Sequence, residues 1–295
     1  MAWITGPEMV IAVCEAGGLG TLAAATLEPA ELARQIMRVR EKTSRPFAVN
    51  IPLRLATAAG AVEAVLQGDV PVVVCSAGDP FPWVARFKDA GRIVLQVVFN
   101  REMALRAGAA GVDGLIAMGA EAGGNLCPDE LTTLVLVPQI VDATDLPVVA
   151  AGGIADSRGF AAALALGAHG IQIGTRLLAT WECTAHPRYK RAVLEARDVD
   201  STVLGRSTGL QFRVLRNEAV RQMLDLERRG EDRATLDRRI LDALRKAVLD
   251  GDVDEGAVVA GQAAGLVREE LTVAQVLEGL MEGVRRRLDA LRCLG

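Results

Sequence analysis

The stretch PVVAAGGIAD (Pro147–Asp156), followed by residues with helical spacing and then by GIQIGTR (Gly170–Arg176), decides how the chain is read. A short apolar run enters a glycine pair and an Asp suited to cap a helix, and the next apolar run again ends on glycine. Outward from here the same strand-then-helix unit recurs. Strand candidates are Leu19–Ala23, Phe47–Leu53, Val70–Cys75, Ile93–Val98, Val112–Ala117, Pro147–Ala151 and Gly170–Gly174. They are continuously apolar, as parallel strands covered on both faces should be. Glycines close the intervening helices at Gly17, Gly91 and Gly167, where a C′ residue takes positive φ. The expected fold is α/β, a TIM (β/α)8-type barrel with its first strand missing, because seven strands are found where closure takes eight. Helix-like Pro7–Ala16 has no strand before it, so either the start is truncated or an unusual element closes the barrel. A doubly wound open sheet is the alternative, though its glycine-rich loop would follow the first strand.

After about residue 180 the pattern changes to charged helices without strands. Leu236, Ile240, Leu241, Leu244 and Val248 recur at three and four, giving one apolar face. A last amphipathic helix runs from about Thr272 to Leu291. The expected division is a barrel over 1–185, a helical cap over 186–256 and a C-terminal segment over 257–295 that docks back on the barrel. An oligomerisation surface is the alternative use of the tail.

Composition removes several functions. The net charge is −4 and aromatics make up 3% of the 295 residues, which argues against a phosphate-tracking or base-stacking surface and so against nucleic acid. Five scattered cysteines, Cys14, Cys75, Cys127, Cys183 and Cys293, contain no CxxC, so a reducing cytoplasmic setting without disulfides or zinc is expected. Only His169 and His186 could supply imidazole, so no metal site is expected. No apolar run approaches the ~18 residues that suggest a membrane span. Lys42, Lys88, Lys190 and Lys246 fall outside strand ends, which disfavours a Schiff-base aldolase.

In such a barrel the site lies at the C-terminal ends of the strands, with phosphate in the loops after the last two. Gly152 and Gly153 before a helix, and Gly174, Thr175 and Arg176 after the last strand, offer amides, a hydroxyl and a guanidinium to an anion. Tight turns alone are the plainer use of these glycines. The loop MGAEAGGNLCP (Met118–Pro128) lets backbone approach a flat ligand closely, and its Asn125 offers an amide but no proton. Asn50, Ser76 with Gly78 and Asp79, and Gln96 are further strand-end polar residues expected to ring one pocket.

The motifs EAGG (Glu121–Gly124), AAGGIAD (Ala150–Asp156) and QIGTR (Gln172–Arg176) resemble the nitronate monooxygenase (2-nitropropane dioxygenase) family of FMN-dependent barrels, which includes enoyl-ACP reductase II. Met1-Ala-Trp3, EAGGLG (Glu15–Gly20) and PFAVN (Pro46–Asn50) match too, and AHPRYK (Ala185–Lys190), ARDVD (Ala196–Asp200) and AGQAAGL (Ala260–Leu266) resemble the enoyl reductase branch. The resemblance implies FMN held by Met1, Asn50, Ser76, Gly123, Gly124, Gly152, Gly153, Gln172, Ile173, Gly174, Thr175, Gly261 and Gln262. Three departures matter. The family's first strand and the glycines preceding Met1 are absent. Asn125 stands where the family has a functional histidine, and Leu210-Gln211 follows Gly209 where the reductase branch has one.

The expected function is FMN-dependent oxidation of alkyl nitronates, with Asn125 as the candidate catalytic position. A nitronate is already deprotonated, so losing the histidine is tolerable there. The alternative is enoyl-thioester reduction with NAD(P)H as electron donor and acyl carrier protein as partner, which needs a proton that Asn125 supplies poorly. Other readings are a catalytically impaired flavin-binding paralogue and a non-flavin phosphate-binding barrel. A small-molecule substrate, no nucleic acid or membrane partner, and a homodimer complete the expectation.

Overall fold

The structure, a computed structural model, describes residues 1–292; Cys293 lies outside the described residues. Among those residues ten strands occur: β1 (Thr21–Ala23), β2 (Ala48–Pro52), β3 (Val72–Ser76), β4 (Ile93–Val98), β5 (Gly114–Met118), β6 (Gly124–Asn125), β7 (Val148–Ala151), β8 (Gly170–Gln172), β9 (Ser201–Leu204) and β10 (Phe212–Leu215). Seven form one parallel sheet in the order β1-β2-β3-β4-β5-β7-β8. Each strand in this order is the next repeat along the chain, as in a barrel wound one way, and the reversed order of a doubly wound sheet is not seen.

Register separates the two faces of this curled sheet. Val73 pairs with Val94 and Cys75 with Gln96, and Val73, Cys75 and Val94 pack in the layer beneath the helices. Ala48, Val72, Val74, Val97, Ile116 and Ala151 form a separate inner cluster, with Leu95, Met118 and Val149 packed on it. Period-two alternation then places Asn50, Ser76 and Gln172 on the inner face near the strand ends. The outer helices are amphipathic: Pro29–Lys42 starts on proline at N1 and buries Leu32, Ile36 and Val39 at spacings of four and three.

The gap expected at strand one lies between β1 and β8, which do not pair. Residues before the first helix, Pro7–Glu15, partly cover it: the Ala23 amide donates to the Thr5 carbonyl at 3.3 Å. Met9 and Val13 of that helix share a core cluster with Leu177 and Leu178, with Ile171 packed against it. A turn and a helix face therefore stand in the place of a regular strand.

The expectation of a strand-free tail is overturned. The strands β9 and β10 lie within it and join β6 in an antiparallel sheet ordered β6-β10-β9. Charged and polar residues in β10 and its flanks disguised these strands, and β6 is only two residues long. The C-terminal helix Val273–Arg292 lies along Ser157–Ala165, where Gly283 sits so close to Ser157 that an added Cβ would fall 2.4 Å from its Oγ.

Candidate active site

Three loops and one tail segment meet at the C-terminal ends of the strands. The β7 loop takes Gly152 at φ +101° and Gly153 at φ +72°, a backbone that residues with a Cβ adopt only with strain. Asp156 caps the following helix, Ser157–Ala165, through the Arg158 amide at 2.8 Å. The β8 loop carries Ile173, Gly174 and Thr175. Among the described residues, the amides of Gly153, Gly174 and Thr175 donate to no backbone carbonyl or side chain. Half-buried donors of this kind suit an anion. Among the described residues, the heavy atoms near a Cβ placed on Gly174 belong to the Met1 side chain, with Sδ at 3.5 Å.

Thr175 is held from the tail. The Gly261 amide donates to Thr175 Oγ1 at 2.9 Å, which leaves the hydroxyl proton free to donate. The Gln262 amide donates to the Glu121 carbonyl at 2.9 Å, while its side chain is exposed. Gly123 and Gly261 must both be small, since a Cβ on Gly123 would sit 2.6 Å from the Gly261 nitrogen.

Asn50 and Ser76 meet across β2 and β3, with Asn50 Nδ2 donating to Ser76 Oγ at 3.0 Å and to the Val74 carbonyl at 3.1 Å. The side-chain amides of Gln172 and Asn125 have no partner among the described residues, and Asn125 is exposed. Its backbone is fixed by β10, where Phe212 faces Asn125 and Arg213 faces Gly124. Arg213 is buried, and its Nε donates to the Ala120 carbonyl at 2.9 Å; burial lowers its pKa. Met1 is half-buried, with its amino group donating to Thr5 Oγ1 at 2.8 Å and pushed down to about 6 by burial.

Three expected contributors are engaged elsewhere. Gln96 faces the helix layer with Cys75, and its Nε2 donates to the Val97 carbonyl at 2.9 Å; strand parity turns it away from the pocket. Arg176 is buried, with Nη1 on the carbonyls of Ala179 (3.4 Å) and Glu269 (3.2 Å), so it is not aimed at an anion. Asp79 accepts from the Phe81 amide at 3.0 Å and acts as a turn group.

The two histidines are engaged away from the Asn125 loop. His169 precedes β8, at the opposite end of the strand from the glycine loop, and accepts from the Val148 amide at 3.2 Å. His186 caps the helix Pro187–Leu194 through the Arg188 amide at 3.2 Å. Burial raises the Cys127 thiol, and the Glu121 carboxylate accepts from Thr133 N and Oγ1 at 2.9 to 3.0 Å. Thr133 escaped the sequence reading because nothing in LTTLV (Leu131–Val135) marks a partner twelve residues upstream. A cavity of about 200 Å³ lies in the cap beside Glu195, Asp200, Arg216 and Asn217. Asn217 there is committed to the Val253 and Gly256 carbonyls, Arg216 to that of Val199 and Asp200 to Arg197.

Fold and loops together define an α/β-barrel protein with unpaired, half-buried backbone amides in the loops after its last two strands. The chain belongs to the nitronate monooxygenase family, whose profile matches residues 1–64 and 55–283, and it is an oxidoreductase of that family. The solved structure of FabK from Thermotoga maritima is 38% identical, superposes with a TM-score of 0.96 and covers 100% of this chain and 94% of that one. A nitroalkane oxidase from Streptomyces ansochromogenes is 31% identical with a TM-score of 0.87, covering 99% of this chain and 95% of that one. Among curated relatives, a (3aS,4S,5R,7aS)-5-hydroxy-7a-methyl-1-oxo-octahydro-1H-indene-4-carboxyl-CoA dehydrogenase from Mycobacterium tuberculosis is 33% identical over 95% of this chain and 90% of its own length. A probable nitronate monooxygenase from Staphylococcus saprophyticus is 32% identical over 91% of this chain and 88% of its own.

Proposed function

We propose that the chain is an FMN-dependent oxidoreductase that oxidises alkyl nitronates. The observation that carries this reading is that Asn125, an amide, holds the exposed position of its loop while the two histidines of the chain are engaged elsewhere. Both histidines serve turns or caps elsewhere, and the Glu121 carboxylate is held by Thr133. A nitronate arrives deprotonated, so no base is needed at its carbon; with oxygen as co-substrate one oxygen atom would bond to that carbon as the C–N bond breaks and nitrite leaves.

The residues present fit the cofactor. The free amides of Gly153, Gly174 and Thr175, the Thr175 hydroxyl and the bare backbone at Gly152 form a donor set for its phosphate. Asn50, Ser76 and Gln172 line the inner face beneath, with the Gln172 amide free to hydrogen-bond a ring edge. When bound there, FMN would supply an electron acceptor, with oxygen as the final oxidant. Asn125 would orient a nitro oxygen through its side-chain amide. Phe212, opposite it in register, would help exclude water.

Enoyl-thioester reduction with NAD(P)H, and acyl carrier protein as partner, is a second reading, supported by the 38% identity to FabK and by the CoA-ester named for the mycobacterial relative. The division into barrel (1–185), cap (186–256) and docking segment (257–295), and a homodimer, are part of the same proposal. Anaerobic titration of the flavin-loaded protein separates the readings. Bleaching by a preformed nitronate with no bleaching by NADH or NADPH is expected; rapid bleaching by a nicotinamide and none by a nitronate would transfer the assignment to the reductase.

A further inference from the structure

The loop that carries Asn125 and the loop offered to the phosphate are joined through one pair of side chains. Thr133, first residue of the helix Thr133–Val141, is buried beneath both. Its amide donates to Glu121 Oε1 at 3.0 Å and Oε2 at 2.9 Å. Its hydroxyl lies 3.0 Å from Glu121 Oε2, 3.0 Å from the Gly152 carbonyl and 3.3 Å from the Ala151 carbonyl. One hydroxyl proton thus has three acceptors, one on the Asn125 loop and two at the end of β7.

The surroundings leave little slack. A Cβ on Gly119 would fall 2.2 Å from Thr133 Oγ1, and one on Gly153 would meet Glu121 Cβ at 3.2 Å. The Glu121 carbonyl also receives the Gln262 amide, next to the Gly261 amide that holds Thr175. Glu121 therefore touches the Gly152-Gly153 turn with its side chain and is tied to the Thr175 loop through its backbone. It lies four residues before Asn125.

We propose that Glu121 and Thr133 are positioning residues that couple occupancy of the Gly152-Gly153 loop to the placement of Asn125. An anion that fixes the Gly152 peptide selects one orientation of the Thr133 hydroxyl, and through Glu121 orders the loop from Gly119 to Leu126. The inference rests on the cofactor reading above for the identity of the anion.

The test compares wild type with Thr133→Val, which keeps shape and loses the hydroxyl, and with Thr133→Ser, which keeps the hydroxyl. Amide hydrogen exchange is followed in the segments 119–126 and 151–155, with and without FMN, and FMN affinity is measured by fluorescence titration. In wild type and Thr133→Ser, FMN is expected to slow exchange in both segments. In Thr133→Val it should still slow 151–155 but leave 119–126 unchanged, with FMN bound about fivefold more weakly, the scale of one neutral hydrogen bond. Glu121→Gln is the second variant, expected to show the same uncoupling in a weaker form. Equal protection of 119–126 in Thr133→Val and wild type overturns the coupling while leaving the cofactor assignment intact. Failure of the wild type to bind FMN overturns both.

Discussion

Asn125 stands opposite Phe212 in the ladder between β6 and β10, so the candidate substrate-contacting amide is placed by a strand of the second, antiparallel sheet and not by the parallel sheet alone. The Leu126 amide continues the pairing to the Gln211 carbonyl at 3.0 Å. Asn125 can orient a substrate oxygen but cannot carry a proton. Asn125→Ala should therefore lower turnover of a preformed nitronate by only about fivefold, the worth of one neutral hydrogen bond. Asn125→His should raise activity on the neutral nitroalkane by adding a base titrating near ~6.5. Initial rates for both substrate forms with each variant check this; a Asn125→His variant no faster than wild type on the nitroalkane contradicts it.

Gly153 permits strain and charge to be separated. At φ +72° any side chain is strained, and a Cβ would press on Glu121. Gly153→Ala should lose about 1–3 kcal/mol of stability from backbone strain. Gly153→Asp should lose a similar amount but weaken FMN far more, because a carboxylate would face the phosphate. Thermal melting and equilibrium FMN titration of the two variants give the comparison, and equal FMN affinities for Ala and Asp would remove the phosphate from this turn.

The strand-and-glycine rhythm of the barrel is legible because each repeat is local: an apolar run, a turn glycine and an amphipathic helix carry their own signals. All seven expected strands occur, trimmed by a residue or two at half of their ends, while β3 and β5 run one residue further than expected. What the sequence hides is long-range. β10 contains Arg213 and pairs with a two-residue β6 nearly ninety positions earlier, so neither strand has a periodic signature of its own. Gln96 misleads because polarity at a strand end does not reveal which face it takes, and Arg176 because its carbonyl partner at Glu269 lies far along the chain.

Tyr189 tests how firmly the cap is tied to the tail. Its ring is fully buried and its hydroxyl donates to the Val259 carbonyl at 2.8 Å, and burial pushes its pKa up. Tyr189→Phe keeps the packing and strands that carbonyl, so stability should fall by about 1–3 kcal/mol. Urea unfolding measures it, and an unchanged midpoint would show that the carbonyl finds another partner.

The cysteines should differ in reactivity. Burial pushes Cys75 up to about 12 and also raises Cys14 and Cys183, whereas Cys127 is only partly covered. The thiolate is the reactive form, so at about pH 8 only about one Cys75 in ten thousand is ionised. Alkylation of the folded protein, followed by peptide mass spectrometry, should modify Cys127 well before Cys75, and comparable rates would mean the outer helix layer opens readily.

The proposed oxidation acts on a substrate that is already deprotonated and draws on no base within the site. Oxygen uptake by the flavin-loaded wild-type protein, with a preformed alkyl nitronate and with its neutral nitroalkane at equal concentration, tests it most directly. Rapid uptake is expected with the nitronate and little with the nitroalkane beyond its slow spontaneous ionisation. Equal initial rates with the two forms would contradict it, since another residue would then have to take the proton.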